Sequence, residues 1–531
     1  MRLRIFLFFF IIAAHSGNVC WAQQSEFLYG KVIDAKTKEP IPFATIRILN
    51  KTVGVISNDD GGFVIPLKFK EIGEILEITS MGFGAQKILI SELASEQINL
   101  IMLFPKAIEL QEVTVAAKKR RKLTAFEIVK KSIAAIPGNY PMNSFSTVGY
   151  YREYQKKGNQ YINLNEAILG VFDEGFDTSD NESTAVRIYD YRENRDFKRD
   201  TIALEPYNYK NGIKVIDKAF LWNYGGNEFT ILRIHDALRN YEIDSYSYVH
   251  RLKHDFIENH SFTREENTYL VDEPLFKISF GKRVPQYYAE GVLYISQRDF
   301  SIYKMEYAVY HKSKTTQVSN GNEKKAEGQL IFEIITEYQR VDNKMFLNYI
   351  SFNNSFRLRE LPKFKVEDVS IDLNKKCFVV VFNKVPEIQS ALITRFYYLK
   401  YKGERIKLQE IKIENKRAYL YPKFRTVAES SSFFKELNSF RNRDNTIDPG
   451  WFSFDVKKII DVEGNEINSQ TYSNFNQFRE FFVQQVKPNV SGPADELYMQ
   501  KDRPIFKNQP IVKPDDFSEL WMNTPLKTIN N

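Results

Sequence analysis

The sequence predicts a mainly β protein: an N-terminal β-sandwich, a linker helix, then a large antiparallel β body with few helices. Three observations carry that reading. The 531 residues include 42 Phe and 30 Tyr interleaved with Ile and Val, side chains that suit a pleated, half-buried surface. Runs of alternating apolar and polar residues recur along the chain, with Gly, Asp and Asn clusters between them. A hydrophobic content of 43% with 27% charged residues is that of globular material, and the length allows about three or four domains.

The opening residues bear on location. Arg2 and Arg4 precede the apolar run Ile5 to Ala14, and a polar bridge leads to Cys20-Trp21-Ala22 and Gln23-Gln24-Ser25. A positive start, a short apolar run and a small residue before a polar stretch form an export signal, assigned to residues 1–22. The run is shorter than the roughly 20 apolar residues that cross a bilayer, and no later stretch approaches that length. The mature chain is therefore expected outside the cytoplasm, in the periplasm or associated with the outer membrane, without a transmembrane helix. The formal charge of +7 is small for this length. Together with export it argues against nucleic acid as a partner. Loss of Cys20 with the signal would leave Cys377 alone, so stability must come from apolar cores and not from a disulfide. A lipidated Cys20 is the rival reading, but Gly17-Asn18-Val19 depart from the usual lipoprotein signal.

Residues 26–104 hold short strand patterns: Phe27–Ile33, Pro42–Ile48, Gly62–Leu67, Glu74–Thr79 and Gln97–Leu103. Their spacing and punctuation read as a β-sandwich. The motifs Gly30-Lys-Val-Ile-Asp34, Glu39-Pro-Ile-Pro-Phe-Ala44, Ser57-Asn-Asp-Asp-Gly-Gly-Phe63 and Ser80-Met-Gly-Phe83 resemble the carboxypeptidase regulatory-like domain of Bacteroidetes exported proteins. That resemblance implies a seven-stranded, transthyretin-like sandwich that often precedes TonB-dependent transporters and other outer-membrane-associated proteins. It implies no peptidase chemistry. Gly61 and Gly62 supply a tight turn that Asp59 or Asp60 can cap; calcium binding by Asn58, Asp59 and Asp60 is the alternative.

Residues 105–138 form a joint. Ile108–Val115 resembles the terminal strand that follows this module in transporter plugs. Lys118, Lys119, Arg120, Arg121 and Lys122 read as a solvated linker, with contact to anionic lipid headgroups as the second reading. Thr124 and Glu127 make a capping box, Leu123, Phe126, Val129, Ile133 and Ile136 recur at helical spacing, and Pro137-Gly138 reads as the stop.

Residues 139–365 carry a long series of strands joined by short polar turns, hence antiparallel neighbours. Glu290–Ser296 followed by Ser301–Glu306 is similar to the meander of periplasmic lipoprotein-carrier folds, curved half-barrels with an apolar concave face. Tyr150-Tyr151-Arg152-Glu153 resembles the corresponding stretch of other exported proteins with the same first module. A membrane barrel is the alternative, opposed by charges at positions read as outward: Arg152, Glu153, Lys304, Glu306, Glu333 and Glu337. Residues 366–425 read as a small β region with Cys377 in a buried strand, and residues 426–531 as a short helix followed by extended, proline-rich chain.

Motifs for catalysis are sparse. His250, His254 and His260 are the metal candidates. On a helix the first two would share a face, whereas on a strand they lie about 13 Å apart, and the strand suits the local pattern slightly better. Arg251 and Leu252 stand where a metalloprotease would need its Glu. Ser301-Ile-Tyr-Lys304 and Ser432-Phe-Phe-Lys435 lack companion motifs. Asp173, Glu174, Asp177 and Asp180 read as a solvated acidic loop. The resulting expectation is a non-catalytic cell-envelope binding or scaffolding protein, without a cofactor, whose partners are outer-membrane proteins, lipid or glycan. The alternatives are an envelope hydrolase with a site invisible in sequence, or a barrel or half-barrel carrier of an apolar ligand.

Overall fold

The computed structural model describes residues 26–525 except positions 50, 52, 107–120, 159, 206, 208–212, 217–224, 244–248, 313–328 and 440–450. The export signal with Cys20, and Lys118, Lys119 and Arg120, lie outside the described residues. The chain divides into two compact units. One comprises residues 1–207, 216–356 and 475–531, and the other residues 208–215 and 357–474.

The first unit begins with seven short strands: β1 (Phe27–Asp34), β2 (Thr45–Ile48), β3 (Gly54–Ile56), β4 (Gly62–Pro66), β5 (Ile75–Thr79), β6 (Gln86–Leu89) and β7 (Ile98–Leu103). They form two sheets, β4-β1-β7 and β3-β2-β5-β6, and alternate residues such as Leu28, Val32, Ile46, Ile65, Leu76 and Ile101 fill the space between them. This is the seven-stranded sandwich. Its Asn58–Gly62 turn is closed by Gly61 N–H donating to Asn58 O at 2.8 Å and Asn58 N–H to Gly62 O at 2.8 Å. Gly61 has φ +76°, which favours glycine, and Asp60 Oδ1 caps the turn by accepting from Gly62 N–H at 2.9 Å.

The helix Ala125–Ala134 starts at the predicted capping box: Thr124 Oγ1 accepts from Glu127 N–H, and Glu127 Oε2 from Thr124 N–H. Its buried stripe is Ala125, Ile128, Val129, Ser132 and Ile133, so Phe126, expected on the apolar face, is exposed. The helix ends at Ala134, just before Pro137-Gly138, which sit in a separate short turn, Ile136–Asn139, because proline is tolerated where a helical N–H has no partner to lose.

The large sheet contains β8 (Phe145–Lys157), β9 (Gln160–Asp173), β10 (Ala185–Glu193), β12 (Ser261–Arg264), β13 (Thr268–Leu270), β14 (Glu273–Arg283), β15 (Tyr287–Ser296), β16 (Ile302–His311), β17 (Gln329–Val341) and β18 (Lys344–Glu360). Between β10 and β12 lies β11 (Lys214–Val215), and after the strands of the second unit comes β26 (Thr471–Pro488). The order is β10-β9-β8-β26-β18-β17-β16-β15-β14-β12, an open path that is antiparallel from β10 to β26 and from β18 to β12, with β13 added to β14. β26, from a segment that reads as part of a mixed C-terminal region, is the central strand that joins the β8–β10 meander to the β12–β18 meander. Its sequence hides this role because both faces of its second half are buried, so apolar–polar alternation is lost. The same holds for β8, buried without interruption from Phe145 to Gln155. At Gly149 the strands leave no room for a side chain, since a Cβ would lie 2.4 Å from Phe482 O.

The charges expected to face outward do not. Arg152, Glu153 and Glu337 are buried, and Lys304, Glu306 and Glu333 are half-buried. All but Glu153 stand on the face that the sandwich covers: Phe43 stacks on Tyr349 at 5.1 Å, and Arg47 Nη2 donates to Asn348 Oδ1 at 2.6 Å.

The second unit packs the sheet β19 (Val366–Asp372), β20 (Cys377–Phe382), β24 (Arg417–Pro422) and β23 (Leu408–Glu414) with a smaller one of β21 (Tyr397–Tyr401), β22 (Glu404–Arg405) and β25 (Phe452–Val456). Phe434 and Leu437 of the helix Val427–Ser439 join its core beside Phe378, Val380 and Leu420. Cys377 is a buried core residue, and burial pushes its thiol up to about 11.

Extended chain after β26 ties the first unit together. Trp521 Nε1 donates to Val64 O at 2.9 Å and its ring lies 5.6 Å from Phe69. Asn523 bonds Ile56 O at 2.8 Å and Val64 N–H at 2.9 Å, while Gln484 of β26 donates to Trp521 O at 3.0 Å. Trp521→Ala is therefore expected to cost about 3–5 kcal/mol, as for a buried aromatic, read as a shift of the urea midpoint. A cost below about 1 kcal/mol, the level of ordinary surface changes, would show that the strap is dispensable.

Candidate functional site at the centre of the large sheet

Two Arg-Glu dipeptides lie directly opposite one another on adjacent strands. In the β8–β26 register, Arg152 faces Glu480 and Glu153 faces Arg479. Successive residues of a strand point to opposite faces, so each face of the sheet receives one Arg and one Glu.

On the sandwich face, Arg152 Nε donates to Glu480 Oε2 and Arg152 Nη1 to Asn58 Oδ1 of the sandwich turn. The guanidinium lies 5.1 Å from the Phe482 ring centre and 5.6 Å from that of Tyr154. Tyr349 OH donates to Glu480 Oε1 at 3.3 Å. Burial raises the Glu480 carboxyl above its ordinary range, against the pull of Arg152. Lys156 Nζ, four residues further along β8 on the same face, reaches Asp59 Oδ2 at 2.5 Å. Of the three calcium candidates in the sandwich turn, Asn58 and Asp59 are thus engaged by Arg152 and Lys156, and Asp60 caps the turn.

On the opposite face, Tyr151 OH donates to Glu153 Oε2 at 2.7 Å and Asn165 Nδ2 to Oε1 at 3.0 Å. Arg479 Nε donates to Glu228 Oε2, and Arg479 Nη1 to Asn354 Oδ1 at 2.8 Å. Glu228 opens the helix Glu228–Ile234, capped by Asn227 Oδ1 on Thr230 N–H. Phe229 packs edge-on against Tyr151 and Phe481 at 5.2 Å. Burial, with the charge of Glu228 close by, pushes the Glu153 carboxyl up to about 7 despite its hydrogen bonds and the presence of Arg479.

The acidic loop is not solvated throughout. Asp173 and Asp180 are buried, Asp173 on Arg239 Nε at 2.9 Å and Arg233 Nη2 at 2.8 Å, and Asp180 on Arg233 Nη2 at 2.5 Å. Glu174 and Asp177 remain exposed. The arginines lie some 60 residues downstream of Asp173, which hid the pairing.

The histidine candidates fall on a helical turn at Leu252–Phe256 and its flanks, not on a strand. His254 is exposed, and His260 is buried with Nδ1 3.1 Å from Phe256 O and Nε2 3.0 Å from Tyr307 OH. Burial takes His260 down to about 4. His250 is half-buried at a positive φ. Among the described residues no three His, Cys, Asp or Glu side chains are grouped to hold a metal ion. Of the basic cluster, Arg121 pairs with Glu127 at 3.0 Å and Lys122 is exposed at the helix entry.

The second unit contributes an open cleft of about 590 Å³ on the outer face of its larger sheet. Asp368, Ser370 and Asp372 of β19 line it with Lys375, Arg417 and Tyr419, and Lys375 Nζ lies 4.4 Å from the Tyr419 ring centre. Its small, outward-facing signal is the polar residues at alternate positions of β19.

Residues 28–115 match the family of CarboxypepD_reg-like domains. No curated protein matches the chain. Among solved structures, a LolA superfamily protein from Nitrosomonas europaea is similar at 12% identity over 44% of this chain and 86% of its own, with a TM-score of 0.19. A DUF1329 family protein from Desulfovibrio piger shares 6% identity over 44% of this chain and 87% of its own, with a TM-score of 0.21. The Pseudomonas aeruginosa MucA/MucB complex shares 7% identity over 58% of this chain and 96% of that chain, with a TM-score of 0.14.

Two predictions test the charge pairs. Removing one partner of a buried pair strands the other charge, at a cost of about 3–5 kcal/mol, whereas replacing both by apolar residues is often neutral. Arg152→Met should therefore destabilise more than Arg152→Met combined with Glu480→Leu, measured by urea unfolding; equal losses would remove the pair from the core's energetics. The second prediction concerns pH. Glu153 holds its proton more tightly folded, at about 7, than the ordinary 4.5, so the folded state binds more protons between those values and stability falls as pH rises through that window. Wild type should lose on the order of 3 kcal/mol from pH 4.5 to above 7 that Glu153→Gln does not lose. Parallel pH profiles for the two proteins would refute the assignment.

Proposed function

We propose that this protein is a non-catalytic binding or scaffolding component of the cell envelope, exported and associated with the outer membrane. One observation carries the reading: the charged and aromatic side chains at the sheet centre are engaged by the chain's own residues on both faces. The sandwich and strap close one face over Arg152, and the helix Glu228–Ile234 closes the other over Arg479 and Phe481. A carrier half-barrel keeps one face open for an apolar guest, whereas here Tyr151, Phe229 and Phe481 occupy that layer, with Phe352 4.8 Å from the Arg479 guanidinium. A membrane barrel needs a closed ring of strands, and the described path has two ends, β10 and β12. The cleft of the second unit, with Tyr419 between Arg417 and Lys375, supplies a polar recognition face suited to glycan, an aromatic ring among hydrogen-bonding groups.

A hydrolase remains the second reading on one observation, the Glu153 carboxyl near neutrality, which is the range a general acid or base uses. A single comparison separates the three readings. Glycan panels should be bound by the full mature chain and lose about tenfold in affinity with Tyr419→Ala, the loss of one aromatic contact. Organic extraction should release no stoichiometric apolar molecule. One tightly held lipid per chain would establish a carrier, and turnover of ester or glycoside substrates abolished by Glu153→Gln would establish a hydrolase.

A further inference from the structure

The outer face of the sandwich carries an apolar stripe that is exposed among the described residues. On β7 the side chains of Ile98, Leu100 and Met102 point away from the sandwich core, and Phe104 continues the row just past the strand. Their exposures are 43%, 61%, 42% and 64%, while the intervening Ile101 and Leu103 are buried at 3% and 0%. At about 3.3 Å per residue the stripe runs for roughly 20 Å. Four large apolar residues in one row, three on β7 and one just past it, differ from the scattered exposed hydrophobics of ordinary surfaces. β7 is also the end strand of its sheet, beside β1.

Lysines flank the stripe, with exposed Glu39 beside Lys38 and Asp272 near Lys106. Lys31 is the register partner of Leu100 on β1, so it stands on the same face. Lys38 Nζ lies 3.4 Å from the Met102 sulfur. Neither lysine is in an ion pair among the described residues. Lys106, two residues beyond Phe104, is exposed with its Nζ on Val271 O at 2.9 Å and 3.5 Å from Asp272. The nearest carboxylate on β1, Asp34, turns back on its own loop and accepts from Lys36 N–H at 2.7 Å.

We propose that this stripe docks the protein on a lipid surface bearing anionic headgroups. Ile98, Leu100, Met102 and Phe104 enter the boundary between headgroups and acyl chains, and Lys31 and Lys38 lay their stems along the apolar row with their ammonium groups at the phosphates. The charge complementarity selects this occupant. A second copy of the chain would bring the same unpaired lysines against one another, whereas anionic headgroups neutralise them. The inference rests on the envelope reading and adds to it a site of attachment.

Vesicle flotation of the full mature chain tests it, using phosphatidylethanolamine vesicles with and without phosphatidylglycerol. Wild type should float with the phosphatidylglycerol vesicles and less with phosphatidylethanolamine alone or in high salt. Leu100→Asp with Met102→Asp should lower binding by about tenfold or more, since two apolar side chains no longer leave water. Lys31→Glu with Lys38→Glu should remove only the preference for phosphatidylglycerol. A Leu100→Trp variant, which keeps the stripe apolar, should gain emission that bromolipid quenches. The proposal falls if wild type stays unbound, if the aspartate variant floats like wild type, or if the stripe proves to join two copies in a dimer that the aspartates dissociate. Glycan binding at the Tyr419 cleft that persists without flotation would sink the attachment site and leave the envelope reading standing.

Discussion

The central constraint on the first unit is the opposition of Arg152-Glu153 and Arg479-Glu480 across one antiparallel strand pair. Strand geometry sends each dipeptide to both faces at once, and the antiparallel register delivers an Arg and a Glu to each face. A one-residue slip would place every partner on the wrong side. Each face must then be covered, because the charges sit in strands whose flanking residues are aromatic and buried. The sandwich turn supplies Asn58 on one side and the helix Glu228–Ile234 supplies Glu228 on the other. The sandwich turn, the helix and the register of β26 thus meet at the same small group of side chains.

This changes what the N-terminal module is. A sandwich of this family could be a tethered appendage, joined only through the segment before the capped helix. Instead its turn reads the sheet: Asn58 meets Arg152, Asp59 meets Lys156, Arg47 meets Asn348 and Phe43 lies on Tyr349. The turn residues Asn58 and Asp59, with Arg47 and Phe43, hold it in place. The strap containing Trp521 and Asn523 then fixes β4 and the end of β3 from the far end of the sequence.

The sequence displayed what depends on local order. Alternation in β1 and β5, the Thr124–Glu127 capping box and the Gly61 turn are set by neighbours within a few residues, and each formed as read. What stayed hidden depends on partners far apart in the chain. β26 has no alternation because it is central and covered on both faces, and its pairing with β8 spans more than 300 residues. Arg152, Glu153 and Glu337 followed the usual correlation of charge with solvent, which fails where a second layer brings counter-charges. Asp173 gave no sign of Arg233 and Arg239, since an ion pair leaves no periodic trace. The candidate site was therefore legible as the motif Tyr150-Tyr151-Arg152-Glu153 and illegible as a network.

The network also explains its own imperfection. Arg152 Nη2, Arg479 Nη2 and Asn58 Nδ2 have no hydrogen-bond partner among the described residues, and unpaired buried donors cost free energy. An apolar core of the same volume would hold the layers at least as tightly, since burying ions costs several kcal/mol each before their attraction is counted. What apolar packing would not supply is direction. Sheets covered by aromatic side chains accept many sliding arrangements of similar energy, whereas a guanidinium bound to both Glu480 and Asn58 accepts one. The charges at the sheet centre therefore select one docking of the sandwich over its neighbours in register, and the aromatic layers around them supply the free energy that makes that docking stable.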